Sequence, residues 1–322
     1  MTKTADFIDV LDARVERRNE RRDFFKAALG AAAVAGAGAT ALTWTSPAGA
    51  QTAPSDADIL NFALQLEYLE AQFYSFAAFG TGLPNDQLTG TGTQGAVRGG
   101  RQVTFTDPLV AQYAREIAQD EIAHVRFLRT ALGAAAVAQP TVDIDVTPTS
   151  AFSNAARAAG LIGAGQAFDV YANDENFLLG AFIFEDVGVS AYKGAAPLIS
   201  NNAFLDASAG ILAAEAFHAG IIRITLYNKG IATPSLRTAT EAISGARDSL
   251  DGPSDIDQGV APQTVNGVQI ANIAPVDSTG QAFSRTTGQV LNIVFLTGAA
   301  AAAGGFFPNG VNGTIRTSAA SA

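Results

Sequence analysis

The chain holds only two histidines, and each stands three residues after a glutamate: Glu121-Ile122-Ala123-His124 and Glu215-Ala216-Phe217-His218. Both motifs lie inside long apolar runs that read as helices. Three residues of α-helix advance about 300°, so the carboxylate and imidazole of each copy share a face, about 4.5 Å apart along the axis. Each pair can reach one ion.

Two further glutamates stand among apolar residues of other predicted helices. They occur in Leu64-Gln65-Leu66-Glu67-Tyr68-Leu69-Glu70 and in Ala181-Phe182-Ile183-Phe184-Glu185-Asp186. Glu67 is followed seven residues later by Tyr74, and Glu185 by Tyr192, so each helix carries a tyrosine two turns on, near the same face. The order along the chain is Glu, Glu-x-x-His, Glu, Glu-x-x-His. Over Ser55 to Gly230 the chain resembles the ferritin-like superfamily of di-iron and di-manganese carboxylate proteins. Within it, the resemblance is to the bacterial ferritin-like proteins described as desiccation-related.

The resemblance implies an all-α fold: a ferritin-like four-helix bundle with a long crossover, extended here by a fifth helix and an irregular C-terminal extension. Carried over by position, it implies that Glu121 and Glu215 bridge two metals. Glu67 and His124 then complete one site, and Glu185 and His218 the other. In the family an aspartate commonly precedes the Glu-x-x-His glutamate and orients the opposing histidine; Asp120 matches, whereas Ala214 does not. Tyr74 and Tyr192 are candidates for hydrogen-bond partners of the carboxylates or for one-electron relays. Glu70, one turn from Glu67, is the alternative ligand on the first helix.

The residues argue for metal independently. A lone histidine on an apolar helix is more often a hydrogen-bonded core residue, but four carboxylates converging in one bundle cannot all stay ionised without cations. Two divalent ions neutralise four carboxylates. Four carboxylates and two imidazoles are too many ligands for one tetrahedral zinc and suit two Fe or two Mn ions with open positions. Cysteine is absent, which excludes disulfides, Fe–S clusters and thiolate sites.

Arg21-Arg22 precedes a run of small residues from Ala27 to Trp44, and Ala48-Gly49-Ala50 offers a cleavage site. Residues 1–50 therefore resemble a twin-arginine signal peptide, which places the mature protein in the periplasm or outside the cell. Residues 51–232 are expected to form the di-metal bundle, and 233–322 a fifth helix and loop-rich extension packed on it. The helices are expected at about 59–79, 108–132, 175–199 and 203–229, the last stopped by Gly230, with a fifth at about 234–250. Residues 81–106 read as an irregular excursion or small hairpin. Residues 134–174 read as the long crossover, helical near Phe152 to Ala159. In the extension, Ser284 to Leu296 reads as a short helix. Gln281 to Thr286 and Phe306-Phe307-Pro308-Asn309-Gly310 resemble the C-terminal portion of the same bacterial group.

A net charge of -10 argues against nucleic acid and anionic membranes as partners. No stable membrane insertion is expected after cleavage. The partners the sequence admits are peroxide or O₂ as small substrate and further copies of the chain. Without cysteine there is no in-chain rubredoxin-like iron to deliver electrons, whereas disproportionation of hydrogen peroxide needs no donor. The leading expectation is a catalase- or peroxidase-like oxidoreductase of oxidative or desiccation stress. The alternatives are a non-catalytic stress-protective protein and an iron-binding or storage protein.

Overall fold

The computed structural model describes residues 53–321, so the export signal expected over residues 1–50 lies outside the described residues. Helix α1 (Asp56–Phe79) starts where the Ser55 side chain accepts from the Asp58 backbone N–H while the Asp58 carboxylate accepts from Ser55 N. It ends at Gly80, whose φ of 74° is the left-handed turn that glycine adopts without strain. Strand β1 (Val97–Gly99) precedes α2 (Pro108–Leu132), which Asp107 caps and Pro108 opens. Strand β2 (Val142–Ile144) and the short helix α3 (Ala151–Ala158) lie in the crossover to α4 (Asp174–Ala195). Helix α5 (Asn202–Ala232) follows, then α6 (Ser235–Asp251), the hairpin β3 (Gln263–Val265) and β4 (Val268–Ile270), and α7 (Thr287–Phe295).

The architecture is an all-α ferritin-like bundle in which α1 packs chiefly on α2 and α4 on α5. The inner helices α1 and α4 are buried on nearly every side, as their apolar residues on several faces require. Phe73 lies at the centre, with Tyr74, Phe152, Tyr171, Phe177 and Phe184 ringed around it at centroid distances of 5.1 to 5.9 Å.

Two local expectations are corrected. Residues 81–106 form no hairpin of their own; β1 pairs in parallel with β2 from the crossover, Val97 opposite Val142. Gly90 and Gly95 permit this, because a methyl group on either would strike the backbone of residues 136–141. Gly230 does not stop α5, which runs on to Ala232. That glycine makes room for the Arg237 side chain, which occupies the place where a Cβ would stand.

The C-terminal residues pack on the bundle. Phe306 and Phe307 are fully buried, and the Phe306 ring sits 5.1 Å from Phe152 and 4.9 Å from Phe184. A buried ionic network makes a second junction. Asp186 of α4 accepts from Arg223 of α5 (2.7 Å) and Arg247 of α6 (3.2 Å). Arg247 also pairs with Asp257, and Arg285 spans Asp257 (2.7 Å) and Asp251 (2.6 Å). The remaining Arg223 donors reach the carbonyls of Gln258, Gly259, Asn272 and Ile273. Three arginines thus balance three aspartates away from water, an arrangement that tolerates no loss of a single member.

Candidate metal centre

The six sequence-selected ligands come from four helices and meet in the middle of the bundle: Glu67 on α1, Glu121 and His124 on α2, Glu185 on α4, Glu215 and His218 on α5. All are buried. Their ligand atoms fall into two groups that could each hold an ion, Glu67 with Glu121, His124 and Glu215, and Glu121 with Glu185 and His218. Glu121 belongs to both.

The imidazoles present the same atom to the centre. His124 Nδ1 lies 3.2 Å from Glu67 Oε2, 3.5 Å from Glu121 Oε2 and 3.6 Å from Glu215 Oε1. His218 Nδ1 lies 3.1 Å from Glu121 Oε1 and 3.8 Å from Glu185 Oε2. Yet both oxygens of Glu121 and of Glu215, Oε2 of Glu185 and Nδ1 of His218 have no hydrogen-bond partner. Buried polar atoms are almost always bonded. Six orphans aimed at common points have the chemistry of a ligand set: oxygen and imidazole donors for divalent ions of the Fe and Mn type.

The two tyrosines cross over. Tyr74 of α1 donates to Oε1 of Glu185 on α4, and Tyr192 of α4 donates to Oε1 of Glu67 on α1. The helices run antiparallel, so the seven-residue step from glutamate to tyrosine in each aligns the pairs reciprocally. Burial and the neighbouring carboxylates push both phenols well above their ordinary range, which keeps them donors. Each bond fixes one oxygen of a terminal carboxylate and leaves the other facing the centre.

Symmetry ends at the histidines. Asp120 Oδ2 lies 3.2 Å from Nε2 of His218, so a proton on Nε2 leaves the Nδ1 lone pair free for an ion. The corresponding position for His124 is Ala214, and among the described residues no carboxylate pairs with its Nε2. The Asp120 side chain is 48% exposed, while the His218 ring behind it is buried.

Glu215, to which the resemblance assigns a bridging role, belongs to the first of the two groups. Its carboxylate groups with Glu67, Glu121 and His124 only and turns toward Gly188 of α4. Any Cβ at 188 would collide with Glu215. Gly188 therefore belongs to the site, although only the three-residue step from Glu185 could have singled it out. Glu70 lies outside both groups but is buried beside Gly188. It borders a cavity of about 20 Å³ whose other walls include Leu66, Val187, Ile293 and Phe306. That volume suits one water-sized molecule.

Ionisation follows from crowding. Burial raises Glu67 to about 7 and Glu185 to about 8, against the pull of His124 and His218. Burial, reinforced by Glu121, also lifts Glu70 and Glu215 well above the carboxylate range. Burial opposes the charge of Glu121 too, but the two imidazoles close beside it hold it below its ordinary value. Burial likewise works against the imidazolium forms, and the carboxylates overcome it, raising His124 to about 11 and His218 to about 9. Without ions, protons shared among these groups supply the positive charge that the cluster requires.

Comparison with known proteins agrees with this geometry. The family described as ferritin-like domain matches residues 55–228, which contain all six residues. The ferritin-like catalase of Nesocodon mauritianus is 28% identical over 273 residues, 81% of this chain and 85% of that protein. The desiccation-related protein of Craterostigma plantagineum is 31% identical over 244 residues, 72% of this chain and 75% of that protein.

Proposed function

On the premise that the chain belongs to the ferritin-like domain family, we propose that it is an exported dinuclear iron or manganese protein that disproportionates hydrogen peroxide. One observation carries the proposal: the Glu121 carboxylate is shared by two histidine-containing groups in which both oxygens of Glu121 and Glu215 and one of Glu185 are buried without a hydrogen-bond partner. The similarity to a ferritin-like catalase supports the choice of substrate, and the absence of cysteine supports a reaction that needs no in-chain electron carrier.

Two ions would be held by Glu67, His124 and Glu215 on one side and Glu185 and His218 on the other, with Glu121 between. When bound, the pair supplies a two-electron store, so that two H₂O₂ become two H₂O and one O₂ with no external reductant. The chain's own residues prepare the place. Tyr74 and Tyr192 hold Glu185 and Glu67 in one orientation, and Asp120 sets the His218 tautomer. Apolar walls exclude bulk water, and Glu70, outside the ligand set, can hold a proton on its carboxyl beside the small cavity. Export is supported by Arg21-Arg22 and the small-residue run that follows.

The test is oxygen evolution from hydrogen peroxide by protein purified from its native compartment, with its metal analysed in the same sample. One O₂ per two H₂O₂ without added reductant is expected. Peroxide consumption only in the presence of a reductant, or none by the metal-loaded protein, rejects the proposal. The second outcome would favour the stress-protective reading, to which the desiccation-related relative lends its name.

A further inference from the structure

Over most of its length, helix α5 carries its ionic residues on one side. Between Asp206 and Lys229, its charged side chains and its imidazole are Glu215, Arg223 and His218, all turned into the bundle. The opposite face shows no charge for about six turns, or roughly 33 Å. It is also far from inert: Phe217 is 74% exposed, Ile224 48% and Ile231 69%. Seven-residue spacing sets these three in one stripe along the helix. By length and composition α5 could cross a bilayer, but its buried face is committed to the metal centre and to the Asp186 pair.

Between the large side chains lie small ones. Ala209, Gly210, Ala213 and Ala216 are exposed, and Gly220 is half-buried. A Cβ on Gly210 or Gly220 would meet nothing within 4 Å. Each glycine inside a helix costs about 1 kcal/mol relative to alanine, and no contact among the described residues accounts for either. Glycine at such positions lets another backbone come close.

We infer that this face of α5 binds α5 of a second copy of the chain, antiparallel about a two-fold axis. Large and small residues on one surface make it self-complementary, as an isologous interface must be. If Phe217 rests on Gly220 of the partner subunit, the same register sets Ile224 over the small Ala213 position. Charge selects the same surface. Two copies of a chain with net charge -10 repel almost everywhere, and the exposed face of α5 between Asp206 and Lys229 carries no carboxylate. The area suffices: with the flank of α2 that carries Phe127, 44% exposed, the patch is about 33 by 20 Å. Two such patches bury about 1,300 Å², within the range of stable complexes.

A lipid surface fits less well, because a membrane-binding helix is normally rimmed by Lys and Arg, and here only Lys229 borders the stripe, itself paired with Asp107 and Glu175.

The test is the mass of the metal-loaded mature chain by light scattering, which is independent of any catalytic assay. Twice the chain mass is expected, and Phe217→Glu should halve it while metal content and helical circular dichroism stay unchanged. The chain has no cysteine, so Ala213→Cys with Ile224→Cys should give a covalent dimer on oxidation, and either change alone should not. A monomer at about 50 μM, or a dimer indifferent to Phe217→Glu, overturns the inference. A monomer that floats with phosphatidylcholine vesicles overturns it in favour of lipid.

Discussion

Removing the ions should make stability depend steeply on pH, in a direction that the buried site dictates. At about pH 7.5 the metal-free fold keeps protons on Glu185, raised to about 8, on His218, raised to about 9, and on His124, raised to about 11. In the unfolded chain a glutamate is ionised and a histidine mostly neutral at that pH. The fold thus binds at least three more protons, with Glu70 and Glu215 adding to them, and linkage makes its stability fall by at least about 4 kcal/mol per pH unit as pH rises. For the histidines this is stability fully present below about 6.5 and lost as pH climbs through the folded values. For the two terminal glutamates it is a penalty that grows from about 4.5 until Glu67 and Glu185 ionise near 7 and 8. With about 2–4 °C per kcal/mol in a domain of this size, the metal-free melting temperature should drop by roughly 8–16 °C per unit. Bound ions displace those protons and should flatten or reverse the slope. Differential scanning calorimetry of chelator-treated and metal-loaded protein at pH 6.5, 7.5 and 8.5 measures both. A metal-free melting temperature that is flat or rising over this range, or two parallel curves, would refute the reasoning.

Glu121→Ala or His218→Ala should lower metal content and any peroxide activity together, whereas Glu70→Ala, outside both ligand groups, should spare most of the metal; elemental analysis of the three variants decides. Gly188→Ala should displace the Glu215 carboxylate and cost about 1–3 kcal/mol, with loss of metal at the His124 side, read by denaturant titration and by metal stoichiometry. Arg285→Met strands Asp251 in the core and should cost about 3–5 kcal/mol, seen as a melting temperature lower by roughly 6–20 °C. Arg21→Lys with Arg22→Lys should retain uncleaved, folded, metal-loaded precursor in the cytoplasm, and fractionation that finds it exported and cut after Ala50 would reject the export proposal.

The four helices and the convergence of their glutamates were legible because both follow from periodicity within each helix. Glu67 and Tyr74, or Glu121 and His124, are neighbours in sequence, and the geometry of one helix fixes their common face. Even the exchange of hydrogen bonds between α1 and α4 is latent in the repeated seven-residue step. Contacts between distant segments leave no such trace. Nothing near Val97 announces Val142 as its partner, and Gly230 resembles a helix stop because its real neighbour, Arg237, packs on it only after the chain has turned. The fit of Gly188 against Glu215 was hidden for the same reason. The three buried arginines look in sequence like ordinary surface charges, since burial of a guanidinium depends on carboxylates from helices and loops far along the chain.

The ionic junction between bundle and C-terminal residues also bears on synthesis. Asp186 emerges from the ribosome about a hundred residues before Arg285, which at about 5–20 residues per second is a delay of roughly 5–20 s. Throughout that interval Arg223 and Arg247 arrive to face Asp186, Asp251 and Asp257, one cation short of parity. The four helices that hold the ligands are already made, but the interior stays out of balance until the last guanidinium enters. A chain cut short before Arg285 keeps that unmatched carboxylate, so charge parity tells a finished copy from an unfinished one.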